Sequence, residues 1–184
     1  MDLEAVRRAL AAAAAREQSA ERSAAVAAVL REGDRGPEAL FIRRGERIGD
    51  PWSGHMAFPG GRHEPHDRDL FDTALRETRE ELGLDLTNAR MLGRLDDVET
   101  HQRGLVVRPY VFELGDVPAL AVPNAEVAEA LWVPLAPLYR GERDTTYAYE
   151  HEGRAYRFPG YDVEGRIVWG LTYRMLRLLF AQLR

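Results

Sequence analysis

The sequence predicts a mixed fold of the α/β or α+β class. Strand-like segments rich in Ala, Val, Ile and Phe occur before, between and after segments with helical periodicity. The sequence contains no internal repeat and no linker that would divide it. A length of 184 residues suits one domain. We therefore expect residues 1–184 to form a single domain with both helices and a sheet.

The beginning of the chain predicts a helix followed by a hairpin. Asp2 to Arg16 is rich in alanine, the residue that most favours a helix, so residues 1–18 are expected to form a peripheral N-terminal helix. Ser23 to Leu30 and Ala39 to Ile42 are apolar and predict two strands. Residues 31–36 between them are mostly charged and predict a loop of several residues.

A helix near the middle of the chain has clear start and stop signals. The polar stretch 43–55 carries three glycines and a proline, and it predicts a loop before this helix. Asp67 and Asp69 are both suitable N-cap residues. The helical pattern continues to Leu82, and Gly83 is a typical C-terminal stop.

The rest of the chain predicts further strands and a final helix. The predicted strands are Met91–Val98, Leu105–Leu114, Val127–Pro134 (beginning as a helical turn or loop), and a hairpin of Thr146–Tyr149 with Ala155–Phe158. Residues 167–183 are amphipathic and predict a long C-terminal helix. The sequence leaves open whether this helix packs on its own domain or on a second subunit of a homodimer.

Composition excludes several classes of function. A formal net charge of -5 provides no general affinity for nucleic-acid backbones, so no nucleic-acid partner is expected. No apolar run approaches the roughly 20 residues that a membrane span needs, and the N-terminus does not resemble a signal peptide. Without cysteine there is no disulfide, thiolate zinc site or cysteine nucleophile. These features are typical of a cytoplasmic protein that does not bind membranes.

Three glutamates of the central helix form an acidic cluster. At about 100° per residue, Glu77, Glu80 and Glu81 fall on one side of a helix, beside a separate apolar stripe. Like charges at this spacing repel, whereas a bound divalent cation would make them attractive ligands. The simpler interpretation is a solvated acidic face that is paired with Arg76 and Arg79.

Residues 61–84 resemble the sequence motif of the Nudix hydrolase family, the Nudix box. Gly61 opens the motif, Asp67 stands at its first acidic position, and Arg76-Glu-Thr-Arg-Glu-Glu-Leu-Gly-Leu84 closes it. The chain differs from the common pattern in three ways: Asp67 replaces Glu, one extra residue precedes the closing stretch, and Thr78 occupies an aliphatic position. The first two differences occur together in the coenzyme A pyrophosphatase-like branch, which this chain therefore resembles most.

The resemblance implies a fold and a metal site. The family fold is an α/β/α sandwich with a mixed β-sheet and a loop–helix–loop catalytic motif. By the same resemblance, Glu77, Glu80 and Glu81 would bind Mg²⁺ or Mn²⁺, and a backbone carbonyl of Gly60 or Gly61 would complete the set of ligands.

The resemblance also implies an activity and catalytic roles. Family members hydrolyse the diphosphate bond of a nucleoside diphosphate linked to another moiety. Glu80 and Glu81 would act in catalysis, and Arg76 would orient the glutamates. The general base would be Glu80 or a glutamate from a distant loop, for which Glu126 and Glu129 are the candidates.

Two other segments resemble the coenzyme A pyrophosphatase-like branch and favour coenzyme A or its derivatives as the substrate. These segments are Gly54–Gly61 and Ile167–Thr172. Arg43, Arg44 and Trp52 are candidate substrate contacts, although solvated arginines and a core-capping tryptophan are the simpler interpretation. Two other functions stay open: a hydrolase of non-standard or oxidised nucleoside triphosphates, and a nucleotide-binding Nudix module without catalysis.

Overall fold

The computed structural model describes residues 1–46, 53–102, 104–151 and 153–183. These parts of the chain form four helices and eleven strands. The helices are α1 (Leu3–Ala12), α2 (Leu70–Leu82), α3 (Leu135–Tyr139) and α4 (Gly170–Ala181). The strands are β1 (Arg22–Gly33), β2 (Gly36–Arg44), β3 (Met56–Ala57), β4 (Gly60–Arg62), β5 (Arg90–Arg94), β6 (Val98–Glu99), β7 (Leu105–Glu113), β8 (Val127–Pro134), β9 (Asp144–His151), β10 (Arg154–Val163) and β11 (Arg166–Trp169).

The larger sheet is mixed and is centred on β1. Its main strand order is β3-β2-β1-β7-β5, while β4 also pairs with β1, β6 with β7 and β8 with β2. Strands β1 and β7 are parallel, whereas β2 and β4 are antiparallel to β1. A smaller antiparallel sheet has the order β11-β10-β9.

Both faces of the large sheet are covered. Side chains of β1 alternate between two hydrophobic clusters, as expected for a strand buried on both sides. Ala25, Ala27 and Val29 pack in the cluster that contains α2, and Ala24, Ala28 and Leu30 pack in the cluster that contains α1, α3 and α4. The expected α/β/α sandwich with a mixed sheet is therefore confirmed.

Helix α2 begins and ends where its capping residues predict. The Asp69 carboxylate accepts a hydrogen bond from the backbone N–H of Asp72 at 2.8 Å, so Asp69, and not Asp67, is the N-cap. Gly83 adopts a left-handed conformation with φ of 65° and donates its N–H to the carbonyl of Arg79. These two caps set the position of the glutamate-bearing turns.

The N-terminal helix is shorter than the predicted span over residues 1–18. Helix α1 ends earlier, because the backbone N–H groups of Arg16 and Gln18 bond to the carboxylates of Asp96 and Asp97, each at 2.8 Å. These contacts hold residues 16–18 against the segment between β5 and β6. High helix propensity is a weak preference that such tertiary contacts override.

The first hairpin is tighter than the loop predicted over residues 31–36. Gly33 pairs directly with Gly36, so only two residues form the turn. Gly36 has a φ of 95°, which glycine adopts without steric cost. Arg31 stays in the strand because its guanidinium pairs with Glu38 on the neighbouring strand at 2.7 Å.

The start of the C-terminal helix was predicted wrongly. Residues 167–169 belong to β11, whose Trp169 pairs with Gly160 of β10, and helix α4 begins only at Gly170. Ile, Val and Trp favour a strand when a partner strand is available. In the described parts of the chain, no helix is both long and apolar enough to cross a membrane.

Two other strand boundaries also differ from the prediction. Residues 91–98 are divided between β5 and β6, with a register shift between Met91 and Gly93. Residues 127–134 are strand from the first residue and do not begin as a helical turn, because β8 pairs along β2 over its whole length.

Candidate active site

Arg76 lies at the centre of a network of carboxylates. Its Nε and Nη2 donate to the two oxygens of Asp67 at 2.8 and 3.0 Å, and its Nη1 donates to Glu77 at 2.8 Å and Glu80 at 3.0 Å. A further bond from Nη2 reaches the carbonyl of Arg62 at 3.0 Å. A guanidinium has five N–H groups, and this network uses all five. These contacts agree with a role in orienting the glutamates, which stays a prediction.

Asp67 ties the loop before α2 to the helix itself. Its side chain is buried, and the hydrogen bonds from Arg76 hold the pKa of its carboxyl well below the usual range. The carboxylate also accepts bonds from the Glu64 N–H and the Thr73 hydroxyl, each at 2.9 Å. The loop and the helix are therefore fixed to each other through one ionised group.

Glu81 is a deeply buried carboxyl group. Its relative exposure is 4%, and Oε2 accepts a hydrogen bond from the N–H of Gly60 at 2.9 Å. Burial raises the pKa of Glu81 to about 8, although the Gly60 bond and the charge of Arg44 oppose the shift. Nearby Glu77 and Glu126 raise this pKa further. A cation at this position would stabilise the ionised form.

Glu77 lies directly against the backbone of Gly61. Burial raises the pKa of Glu77, and the hydrogen bond from Arg76 offsets part of that shift. A Cβ added to Gly61 would overlap the Glu77 carboxylate. The pairing of Gly61 with Ala25 in the centre of the sheet fixes this approach. Glycine at this position therefore leaves room for the carboxylate.

Asn124 connects the Glu126 loop to α2. Its side-chain amide donates to the carbonyls of Glu81 and Ala121, both at 2.8 Å. Its oxygen accepts from the N–H groups of Glu126 and Val127, both at 2.9 Å. The amide thus makes all four hydrogen bonds available to it. Asn124 is not among the residues predicted from the sequence, although an asparagine two residues before Glu126 is a known turn signal.

The two distant glutamates differ in their surroundings. Glu126 contributes to the electrostatic field at Glu77 and Glu81, so it lies near the acidic cluster. Glu129 instead accepts two hydrogen bonds from Arg166, at 2.9 and 2.6 Å, and one from Arg43 at 3.4 Å. The geometry therefore favours Glu126 over Glu129 as a participant in the site.

The predicted substrate contacts are also separated. Arg43 pairs with Glu129. It lies two residues after Phe41 in β2, and the ring of Phe41 packs in the cluster on the face away from α2. Arg44 lies two residues after Ile42, which packs in the α2 cluster. The charge of Arg44 lowers the pKa of Glu81. Of the two arginines, Arg44 is the one on the glutamate side. Trp52 lies outside the described residues.

The donor groups suit a hard divalent cation, although the side chains do not form a complete metal shell as they stand. Within residues 1–46, 53–102, 104–151 and 153–183, no three His, Asp or Glu side chains converge on one point. Arg76 holds Glu77 and Glu80, and Gly60 holds Glu81. Carboxylate and carbonyl oxygens are the ligands that Mg²⁺ prefers. Burial raises the pKa of Glu81 and of the partly buried Glu77, and a bound cation would favour the ionised form of both carboxyls.

The fold, the double glycine of β4 and the glutamate helix together define a Nudix protein. The family model described as the NUDIX domain matches residues 20–152, and the chain belongs to the Nudix hydrolase family. Its curated relatives support the coenzyme A pyrophosphatase-like branch. The human protein named mitochondrial coenzyme A diphosphatase NUDT8 is 37% identical over 172 residues, which cover 90% of this chain and 71% of that protein.

Two further curated relatives have no established substrate in their names. The uncharacterized Nudix hydrolase NudL of Yersinia enterocolitica is 31% identical over 146 residues, covering 79% of this chain and 74% of that protein. An uncharacterized protein of Schizosaccharomyces pombe is 42% identical over 116 residues, covering 59% of this chain. This chain spans only 35% of the length of the S. pombe protein.

Solved structures agree with the fold. A Caenorhabditis elegans Ap4A hydrolase in a binary complex superposes with a TM-score of 0.52 at 20% identity, covering 65% of this chain and 84% of that one. The NUDIX domain of Shewanella oneidensis NrtR, complexed with ADP ribose, also superposes with a TM-score of 0.52, at 22% identity. The match covers 67% of this chain and 79% of that one. Similarity at this level shows a shared fold and says nothing about a shared substrate.

Proposed function

We propose that the protein is a Mg²⁺- or Mn²⁺-dependent pyrophosphohydrolase that cleaves the diphosphate of a nucleoside diphosphate linked to another moiety. The observation that carries the proposal is the carboxylate cluster beside Gly61, in which Glu81 is 4% exposed and the Glu77 side chain 15% exposed. Shielded carboxylates repel an anionic diphosphate unless a cation lies between them. The name of the human relative supports coenzyme A or one of its derivatives as the substrate.

Some side chains of the site would bind the cation, and Arg76 would orient the ligands of the cation. Glu77, Glu80 and Glu81 would bind the ion together with the Gly61 carbonyl. When bound, Mg²⁺ or Mn²⁺ would neutralise phosphate charge and lower the pKa of a coordinated water. Arg76 would keep the glutamates in place, since all five of its N–H groups already have acceptors.

We propose Glu126 as the general base that accepts a proton from the attacking water, with Glu80 as the alternative. Asn124 fixes the backbone of Glu126 to the end of α2, and Glu126 acts electrostatically on Glu77 and Glu81. A base must lie within hydrogen-bond reach of the water that it activates. Arg44 is the preferred candidate for contact with a substrate phosphate.

A substrate panel tests the proposed activity. Purified protein is incubated with coenzyme A, ADP-ribose and an oxidised nucleoside triphosphate, each with Mg²⁺, Mn²⁺ or a chelator, and products are identified by mass spectrometry. We expect coenzyme A to yield 3′,5′-ADP and 4′-phosphopantetheine only when metal is present. Turnover of the triphosphate alone would contradict the choice of substrate, and undiminished turnover in chelator would contradict the metal dependence.

Matched variants connect the activity to the cluster. Glu81→Gln keeps the size of the side chain and removes its charge, so the rate is expected to fall by orders of magnitude. Glu150→Gln makes the same change at an exposed position of β9 and should leave the rate unaltered. Equal rates for the wild type and Glu81→Gln would remove Glu81 from the mechanism.

The proposed biological setting rests on the composition of the chain and on the named relatives. We propose that residues 1–184 form one domain that acts in the cytoplasm on a small molecule, without a nucleic-acid or membrane partner. The name of the human relative places that protein in mitochondria, so cell fractionation is the appropriate test of location. Light scattering of the purified protein distinguishes a monomer from the homodimer that the C-terminal helix allows.

A further inference from the structure

A cavity lies on the face of the sheet opposite α2. It has a volume of about 460 Å³ and lies between β7, β10, β11 and the start of α4. Its apolar walls are Leu105, Val107, Phe158, Pro159, Trp169 and Leu171. Its polar lining includes Gln102 and Arg174, and none of its described lining residues is acidic. Cavities of this size bury a substantial part of a small-molecule ligand.

The cavity adjoins the strand that carries the double glycine. Arg62 directly follows Gly61, and its Nη2 lies 3.4 Å from Oε1 of Gln102 in the cavity lining. In the sheet, Ala24 of β1 pairs on one side with Arg62 and on the other with Val107, so the three residues form one row. Neighbouring strands lie about 4.8 Å apart, which places Val107 roughly 10 Å from Arg62. Arg62 therefore connects the backbone of Gly61 to the lining of the cavity.

The aromatic side chains of the cavity are already packed on other rings. Phe158 and Trp169 lie 5.4 Å apart, so they leave no slot for a nucleobase between them. Trp169 also stacks on Tyr147 at 4.1 Å, and Tyr173 packs on Tyr161 at 4.9 Å. These contacts favour an aliphatic chain over a stacked base.

We infer that this cavity receives a flexible, largely aliphatic arm of the substrate, attached to the diphosphate on the side away from the nucleoside. The inference rests on the proposed function, because a diphosphate held near Gly61 would direct one of its two substituents towards Arg62. In coenzyme A that substituent is the pantetheine chain. The apolar walls would select for chain length, and the nucleoside would lie outside the cavity.

Two esters of ADP isolate the contribution of the arm. The hexyl and methyl esters share the nucleoside and the diphosphate and differ only in their aliphatic group. Calorimetry in Mg²⁺ with the α,β-methylene analogues of the two esters, whose P–C–P bridge cannot be hydrolysed, measures binding without turnover. The wild-type protein is expected to bind the hexyl ester at least about tenfold more tightly, since each buried methylene favours binding.

Variants of Leu171 place this preference in the cavity. Leu171 is partly buried in the first turn of α4, where an acidic side chain is compatible with the helix. Leu171→Glu adds a charge to the cavity wall, and Leu171→Trp fills the cavity without a charge. Both are expected to reduce the hexyl-to-methyl preference to near one. Leu178→Glu, at a partly buried position of the same helix outside this cavity, should retain it.

The outcomes separate this inference from the proposed function. Equal binding of the two esters by the wild type, no binding of either, or a preference that survives in both Leu171 variants would overturn the inference. If the preference holds and maps to Leu171 but no ester or coenzyme A is hydrolysed with Mg²⁺ or Mn²⁺, the cavity assignment stands and the proposed hydrolysis fails.

Discussion

The side-chain amide of Asn124 donates a hydrogen bond to the backbone carbonyl of Glu81, with nitrogen and oxygen 2.8 Å apart. Asn124 also orders its own loop by accepting bonds from the N–H groups of Glu126 and Val127. One residue therefore joins the two segments that carry the proposed metal ligand and the proposed base. Because Asn124 follows α2 by some 40 residues, this link depends on the folded chain.

Asn124→Ala is expected to lower kcat with little change in KM, because the Glu126 loop would lose its attachment to α2. Removing a residue that orients a metal ligand or a base typically lowers activity roughly 10–100-fold. Unfolding free energy should fall by about 1–3 kcal/mol, because four backbone groups, two of them in partly buried hydrogen bonds, lose their partner. Steady-state kinetics and urea unfolding measure the two effects.

Asn124→Asp separates the two halves of this link. Aspartate can still accept from Glu126 and Val127, but it places a carboxylate oxygen against the carbonyls of Glu81 and Ala121. We expect kcat to fall as in Asn124→Ala. Combined with Glu126→Gln, either change should add little further loss, because both act on the same base. Fully additive effects would show that Asn124 does not act through Glu126.

Gly61→Ala is expected to lower activity at least about tenfold, because the new methyl group would displace the Glu77 carboxylate. The metal requirement should rise at the same time, which a titration of rate against Mg²⁺ concentration measures. Gly115→Ala is the matched control, since a Cβ there meets no atom within 4 Å. Equal Mg²⁺ dependence in the two variants would contradict the assigned position of Glu77.

Glu81→Gln is expected to stabilise the protein in chelator while abolishing its activity. A buried carboxyl without a bound cation is costly, so a neutral amide should raise the unfolding free energy at neutral pH by roughly 1–3 kcal/mol. Added Mg²⁺ should stabilise the wild type and not the variant. Equal stabilisation of both proteins by Mg²⁺ would place the ion elsewhere.

The Asp67–Arg76 pair predicts a particular acid sensitivity. The pKa of Asp67 is lower in the folded protein than its value of about 3.9 in unfolded chains. The stabilisation is therefore fully present above about pH 4 and is lost as pH falls further towards the folded pKa. Asp67→Asn should lower the unfolding free energy at pH 7. In urea unfolding, it should also reduce the loss of unfolding free energy below about pH 4. Asp116→Asn, at an exposed aspartate, should leave this pH dependence unaltered.

Local signals predicted the glutamate helix well. Three signals define this helix: the spacing of its apolar residues, an aspartate N-cap and Gly83. All three lie in the helix or next to its ends, and the structure confirms the boundaries at Asp69 and Gly83. The buried positions of Thr78 and Leu82 also follow from that period. Sequence is informative here because the determinants lie within a few residues of one another.

Features that depend on distant partners could not be predicted in the same way. Residues 167–169 form a strand only because β10 is beside them, and the amphipathic pattern of the following helix conceals the boundary. The different environments of Arg43 and Arg44 coincide with a register shift between them. Likewise, the bond from the Asn124 side chain to the carbonyl of Glu81 joins residues that are 43 positions apart in the chain.

The proposed site draws its two halves from different stretches of the chain, and strand β1 lies between them. The three helix glutamates and the double glycine of β4 come from residues 60–81, whereas the walls of the cavity come from residues 100–102, 105–107 and 158–174. Descendants of one ancestral gene can therefore acquire new substrate preferences through changes late in the sequence while the machinery for breaking the bond is inherited intact.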